Sequence, residues 1–363
     1  MTEVCSFAIQ YSRYLDADGR AVAELPDFAK DRAELIALYR AMVLTRAFDA
    51  KAIALQRTGR LGTYASSLGQ EAVAVGAGAA MRPEDVLLPS FREQGALLVR
   101  GVTLTESLLY WGGDERGNHF AGPREDFPIC VPVGAHAPHA VGVALAFQLR
   151  GEARAAVCVL GDGGTSKGEV YESTNLAGVW NLPVVFVINN NAWAISVPRA
   201  RQTAAQTLAQ KAIAAGFAGE QVDGNDVIAV RHAVERALDK ARRGDGPTMI
   251  EALTYRLGDH TTVDDAGRYR DDQEVSTHWK QDPIARLRQY LSTAAGWTKE
   301  DEEGLIANCA EKLDKAVAAY LATPPQPAES MFDYLYHQPP KDLADQRAGF
   351  LARAASIKES ADG

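Results

Sequence analysis

Short, uninterrupted apolar runs separated by helix-length segments constrain this chain more than any other feature. They read "DVLLP" (85–89), "PICVPV" (128–133), "AAVCVL" (155–160), "PVVFVI" (183–188), "EQVDG" (220–224) and "TMIEALTY" (248–255). A strand that is apolar at successive positions has no face to offer water, so it belongs in a sheet covered on both sides. The segments between supply the cover: "APHAVGVALAFQLRG" (137–151), "GEVYESTNLAGVW" (168–180) and "NDVIAVRHAVERALDKARRG" (225–244) each carry an apolar stripe. The last ends in basic residues followed by Gly244, the usual punctuation of a helix C-terminus. Upstream, Leu35, Leu38, Tyr39, Met42 and Val43 fall at helical spacing behind Asp31 as N-cap. The expected fold class is α/β, a parallel sheet with helices on both faces.

At 363 residues the chain can bury a substantial core. Residues 1–30 read as a surface extension, 31–290 as the α/β domain, and 291–363 as a helical region. That last region carries the Pro-rich, aromatic strap "PPQPAESMFDYLYHQPP", suited to docking on a surface. Residues 255–275 fall in a long polar stretch without apolar periodicity, and loops of that length are functional or disordered. A net charge of −9 with no Lys/Arg-rich run excludes a general nucleic-acid binder. Cys5, Cys130, Cys158 and Cys309 are far apart, with no C-x-x-C pair to suggest a disulfide framework or a zinc site. The N-terminus lacks a basic start and an apolar stretch, and no run approaches the ~18 apolar residues of a membrane span. The expectation is a soluble, cytoplasmic chain with no membrane or nucleic-acid partner.

The segment "VCVLGDGGTSKGEVYESTNL" (157–176) passes from strand to glycine turn to helix, as a phosphate-binding loop does. Asp162 sits inside the turn, where it would repel a diphosphate. The glycines, Gly161, Gly163, Gly164 and Gly168, do not match G-x-G-x-x-G, because Ser166 stands at the third position, and no G-x-x-x-x-G-K-[ST] is present. A plain strand-to-helix turn is the competing reading, and "RRGDGPT" (242–248) is such a turn. What separates the first Gly-Asp-Gly from the second is "INNNAWAI", with Asn191 twenty-nine positions after Asp162 at the end of the next apolar run. One helical crossover fits between, which brings both residues to the carboxyl ends of neighbouring parallel strands, where such sheets bind ligands. A carboxylate, an amide oxygen and a nearby backbone carbonyl make an incomplete oxygen shell, as Mg²⁺ adopts when phosphates complete it. Two like charges ~4 Å apart repel by about 4 kcal/mol at an effective dielectric near 20, and a divalent cation between them reverses the sign.

These residues resemble the thiamin-diphosphate enzymes, whose signature begins Gly-Asp-Gly and ends Asn-Asn about thirty residues later. More narrowly, the chain resembles the alpha subunit of the dehydrogenase (decarboxylating) component of 2-oxo acid dehydrogenase complexes. The likeness runs from about residue 30 to the C-terminus through "GRLGTYASSLGQEA", "PSFREQGALLVRG", "GDGGTSKGEVYESTNLAGVWNLPVVFVINNNAWAISVP", "QTLAQKAIAAG", "QVDGNDVIAV", "GPTMIEALTYR" and "HTTVDDAGRYR". The resemblance implies that 31–290 is a thiamin-diphosphate-binding domain with 255–275 as its active-site loop. It implies Mg²⁺ on Asp162, Asn191 and the Trp193 carbonyl, and diphosphate near the Gly163 and Gly164 amides and Arg92. It also implies that Val131 and Val133 line the aminopyrimidine and thiazolium region, that His260 is catalytic and reaches the diphosphate, and that Tyr269 and Arg270 order the loop. Phe91 replaces the usual tyrosine and carries over as packing alone; Asn189 stands where relatives have Gln, Glu or Arg.

The family's catalytic glutamate belongs to the other subunit, so the resemblance implies a beta subunit, an α₂β₂ assembly, and inactivity of this chain alone. It further implies oxidative decarboxylation of a small 2-oxo acid and acyl transfer to the lipoyl domain of the dihydrolipoamide acyltransferase. "FREQG" and "AISVP" lean toward branched-chain (2-oxoisovalerate) enzymes; "GDGGTS", "QTLAQKAIAAG" and "VDGNDVIAV" lean toward bacterial pyruvate enzymes, and the balance narrowly favours pyruvate. A non-catalytic scaffold subunit is the reading from another class, but it has no need of Asp162, Asn191 and His260 together. His136 and His139 open a helix and read equally as substrate-facing or as satisfied packing residues. "DDQE" after Arg270 reads as a solvated face.

Overall fold

The computed structural model describes residues 1–361; positions 362 and 363, the end of the expected C-terminal region, lie outside the described residues. Among the described residues eight strands form: β1 Gln10–Ser12, β2 Val86–Leu88, β3 Ala156–Gly161, β4 Val184–Asn190, β5 Trp193–Ala194, β6 Val197–Pro198, β7 Ala218–Asp223 and β8 Thr248–Leu253. Six make one all-parallel sheet in the order β1-β7-β8-β4-β3-β2, and β5 and β6 make a small antiparallel ribbon.

The all-apolar strands are explained by what lies on either side of them. Alternate residues of β3 and β4 divide between two cores. Val157, Val159, Val185 and Val187 join Val73, Ala77, Val230 and Val234 of helices Glu71–Ala80 and Val227–Arg242. Ala156, Cys158, Leu160, Val184, Phe186 and Ile188 join Ala140, Ala144 and Ala177 of helices Ala137–Arg150 and Gly168–Trp180. Side chains alternate across a strand, so a strand covered on both faces must be apolar at every position. A third cluster joins the long helix Arg32–Arg57, capped by Asp31 as expected, to helices Pro283–Ala294 and Lys299–Ala322.

Three expectations differ from the observed architecture. "PICVPV" (128–133) is an irregular extended segment and no strand. Pro128 and Pro132 cannot donate to a ladder, and Val131 and Val133 remain about half-exposed, so no second face is buried. The N-terminal segment is more than a surface extension, for Gln10–Ser12 pairs with β7 as an edge strand. Leu15 is buried behind it, and the Tyr14 and Leu15 amides both donate to Asp226 Oδ2 at 2.7 Å. The compact unit runs from Met1 to Val317, with a second beginning at Ala318, so the division falls later than the expected 290/291. Within the second unit the Pro-rich segment forms one helical turn, Ser330–Asp333, and the chain continues as helix Lys341–Ala361. Among the described residues no helix is long and apolar enough to cross a membrane.

Candidate active site

β3 and β4 are in register from Ala156 opposite Val184 to Gly161 opposite Asn189. Asp162 and Asn191 therefore leave the carboxyl ends of adjacent strands together. Asp162 is 2% exposed and forms no ion pair; its side-chain partner is Gln202, whose Nε2 donates at 2.7 Å. Burial raises its pKa, and the Gln202 bond opposes that shift. A Cβ on Gly163 would lie 2.7 Å from the Ala194 Cβ, so glycine is what lets this turn approach the β5–β6 ribbon. Gly164 faces Val133 at ordinary contact distance.

Asn191 is oriented from both ends. Its Nδ2 donates to Gln70 Oε1 at 2.8 Å, and its Oδ1 accepts from the Trp193 amide at 3.2 Å, with a second lone pair to spare. In the ribbon, Trp193 is opposite Pro198, and the Arg199 amide donates to the Ala192 carbonyl. That pattern makes Trp193–Pro198 a non-hydrogen-bonded pair, so the Trp193 carbonyl points away from its partner strand. Ala192 and Ile195 flank the pair at φ 70° and 54°. For a β-branched residue such as Ile195 the left-handed region is strained, by order 1–3 kcal/mol.

A buried carboxylate without a cation, a primed amide oxygen and an outward carbonyl suit a hard divalent cation that draws further ligands from phosphate and water. The donor set fits Mg²⁺. Among the described residues no cluster of three or more His, Cys, Asp or Glu side chains offers a self-sufficient metal cage.

Positive charge comes from Arg92 in the same cavity wall and from Arg256, which meets His260 beside it. Arg92 is buried, with Nη1 donating to the Ser66 carbonyl at 2.6 Å and Nη2 to the His260 carbonyl at 2.7 Å. Arg256, 1% exposed, donates through Nη2 to the Ile195 carbonyl at 2.8 Å and to Tyr269 Oη at 2.7 Å. Its Nε is buried without a partner, and neither guanidinium forms an ion pair with a carboxylate. Burial, with Arg256 next in importance, brings the Arg92 pKa down to about 10; burial also lowers that of Arg256. His260 Nδ1 faces Arg92 Nη2 at 2.9 Å and Arg256 Nη1 at 3.5 Å, so it accepts and the ring proton sits on Nε2. Burial and then the two guanidiniums push the His260 pKa down to about 4, which keeps the ring neutral.

The loop carrying His260 is ordered by its own residues. The His260 amide donates to Asp264 Oδ2 at 2.8 Å, Tyr269 Oη bonds the same carboxylate, and Arg270 donates to the carbonyls of Arg256 and Leu257. "DDQE" is no mere solvated face: Asp271 caps helix Asp272–Trp279, and Glu274 accepts from Tyr255 Oη, which in turn accepts from Trp193 Nε1.

One cavity of about 230 Å³ has walls that include Phe91, Arg92, Val133, Asp162, Gly163, Gly164, Asn191, Trp193 and His260, while Gln202, Arg256 and Tyr269 support these residues without lining it. Phe91 packs edge-on against the His260 ring at 6.0 Å. Val131 is outside the lining. His136 lines it, with Nε2 donating to the Val159 carbonyl at 2.7 Å and Nδ1 unpartnered, whereas His139 is exposed. Asn189 is also in the wall, its Oδ1 unpartnered. Sequence reasoning missed Gln70, Gln202, Glu93, Ile195 and Arg256. Gln70 and Arg256 lie inside the quoted stretches "GQEA" and "ALTYR", yet nothing in their spacing pointed at Asp162 or Asn191.

Comparison with known proteins gives the family to which this geometry belongs. Over 335 residues, 92% of this chain and 90% of theirs, it is 40% identical to the pyruvate dehydrogenase E1 component subunit alpha of Staphylococcus aureus (strain Mu50) and 39% identical to that of Staphylococcus epidermidis (strain ATCC 35984). The family model described as dehydrogenase E1 component matches residues 39–329, which include every residue of the cavity wall. The chain belongs to the dehydrogenase E1 component family.

Proposed function

We propose that this chain is the alpha subunit of a 2-oxo acid dehydrogenase. In this reading it oxidatively decarboxylates pyruvate with thiamin diphosphate and Mg²⁺, in an α₂β₂ assembly with a beta subunit. The acyl group passes to the lipoyl domain of a dihydrolipoamide acyltransferase. One observation carries the reading: a buried carboxylate lacking a cation, Asp162, faces the same cavity as a buried guanidinium lacking an anion, Arg92, and a second unpaired guanidinium, Arg256, stands beside His260 of that cavity's wall. A metal diphosphate satisfies both at once, as neither a free anion nor a free cation does.

When bound, thiamin diphosphate supplies the carbon nucleophile and the electron sink for loss of CO₂. The chain's own residues bind and orient. Asp162, the Asn191 amide oxygen and the Trp193 carbonyl hold the cation. Arg92 in the cavity wall, with Arg256 beside His260, would supply positive field to the phosphates, and the neutral His260 would keep a donor, Nε2–H, for a phosphate oxygen or the 2-oxo acid. Val133 and Ile195 of the cavity lining, each about half-exposed, leave apolar surface at the site, which supports a second chain closing it.

The test is CO₂ release by the chain copurified with its beta partner, with pyruvate or 3-methyl-2-oxobutanoate, and with Mg²⁺ and thiamin diphosphate added or withheld. Pyruvate turnover dependent on both additions is expected. Faster turnover of the branched acid transfers the substrate assignment, and no turnover of either acid refutes the reading.

A further inference from the structure

Outside the cavity lining, on the long helix Arg32–Arg57, Asp49 is buried without any ion pair. Its carboxylate instead accepts four hydrogen bonds from one short segment: Tyr64 Oη, Ser66 Oγ at 2.7 Å, the Ser67 amide at 2.7 Å and Ser67 Oγ at 3.1 Å. A desolvated carboxylate with no cation persists only where donors are this dense, and it fixes those donors in return. The segment it fixes, 64–70, touches both halves of the site. The Ser66 carbonyl holds Arg92 Nη1, and Gln70 Oε1 holds Asn191 Nδ2. Tyr64 exchanges two bonds with Thr262 in the His260 loop: its amide donates to Thr262 Oγ1 at 3.1 Å and its carbonyl accepts the Thr262 amide at 2.9 Å. Gly69, at φ 86°, passes so close to Tyr255 that a Cβ would lie 2.7 Å from its carbonyl oxygen, so the segment has no room to settle elsewhere.

We infer that Asp49 is a positioning residue: it templates the 64–70 segment so that Arg92, Asn191 and the His260 loop are held at the spacing one ligand spans. Nothing of Asp49 reaches the cavity wall. Its effect is transmitted through hydrogen bonds that end on Arg92 and Asn191 of the cavity wall and on Thr262 of the His260 loop, whereas Tyr39 of the same helix, bonded to Glu302, lies in the third hydrophobic cluster.

The inference rests on the proposed cofactor for one of its two readouts. In the complex with the beta partner, Asp49→Asn keeps the side-chain shape but turns one acceptor into a donor. It is expected to raise the KM for thiamin diphosphate, at fixed Mg²⁺, at least 10-fold while changing kcat at saturation less than 3-fold. In the same complex without cofactor, amide exchange across 256–264 is expected to accelerate at least 10-fold, with the amides of β3 and β4 unchanged. Tyr39→Phe is the control, expected to lower Tm without moving either readout. Should Asp49→Asn not fold, Ser66→Ala, which deletes one donor to the carboxylate, is expected to move both readouts in the same direction by 3-fold or more. Unchanged KM and unchanged exchange in the folded variant overturn the inference, as does a uniform rise in exchange over the whole sheet. Failure of the wild-type complex to use thiamin diphosphate refutes the proposed function instead, and the exchange arm still decides the role of Asp49.

Discussion

Arg256→Met separates a binding guanidinium from a structural one, because the two roles predict opposite patterns. Both Arg92 and Arg256 reach the same His260 Nδ1, at 2.9 and 3.5 Å, so the nitrogens concerned are no more than about 6.4 Å apart. Two positive charges at that separation repel by about 2.5 kcal/mol at an effective dielectric near 20. Methionine removes this repulsion together with the bonds to the Ile195 carbonyl and Tyr269 Oη, worth about 1 kcal/mol each net. The two effects nearly cancel, so the ligand-free protein should keep its Tm to within roughly 4 °C. The ligand loses the attraction of a guanidinium set outside the cavity lining, about 1.5–3 kcal/mol for a phosphate charge ~6–11 Å away at an effective dielectric near 20, a roughly 10- to 150-fold weaker affinity for Mg²⁺–thiamin diphosphate. Differential scanning calorimetry and isothermal titration of the complex with the beta partner read the two quantities. A Tm loss above about 8 °C with unchanged affinity would show that Arg256 is a strut, and the account of the positive charge at the site would be wrong.

Three further outcomes are expected. Asp162→Asn keeps the Gln202 bond while deleting a buried, unpaired carboxylate, so the ligand-free Tm should hold or rise as Mg²⁺-dependent cofactor binding falls by more than about 100-fold in a calorimetric titration. His260→Gln tests the depressed histidine pKa. Because the folded pKa lies below the ordinary 6.5, the wild-type residue contributes stability that is present above pH 6.5 and lost as pH falls toward about 4. The variant should therefore lose less stability than wild type on acidification through that window, measured by urea unfolding, and a parallel loss in both proteins contradicts the assignment. Ile195→Gly removes a left-handed β-branched residue, so the ligand-free Tm should rise by a few degrees through released strain of order 1–3 kcal/mol, partly offset by glycine's chain entropy. A fall in Tm would mean that the Ile195 side chain stabilises more than its backbone strains.

What was legible in the sequence follows from how local each signal is. The Asp162–Asn191 pair could be read because one strand, one crossover helix and the next strand fix a distance that a parallel ladder turns into adjacency. Five of six proposed strands formed, four of them (β2, β3, β4 and β8) through burial on both faces, whereas β7 is only partly covered over Ala218–Gln221. "PICVPV" misled because hydropathy cannot see that two prolines withhold their donors, and "QYS" at the edge was missed because an edge strand needs no apolar pattern. Arg92 and His260 came only through resemblance to a family. Gln70, Gln202 and Arg256 had no local signal, because each acts on a partner whose place is set by the packing of separate elements. Gln202 meets Asp162 from beyond the β5–β6 ribbon, forty residues on. The departure of Phe91 from the family's usual tyrosine was visible, and its ring lies edge-on to His260.

The bonds that tie the cavity wall together have a consequence for the order in which this chain matures. Gln70–Asn191, Arg92–His260 and Tyr64–Thr262 close loops of 121, 168 and 198 residues, whereas β3 and β4 pair across a single crossover. Closing a long loop depends on intermediate segments having already docked, so the sheet can assemble while the ligand cavity is still open. The cavity is then a late checkpoint of folding. A chain with native secondary structure but an unlatched 256–271 segment would be indistinguishable by far-ultraviolet circular dichroism from the mature one, and would bind nothing.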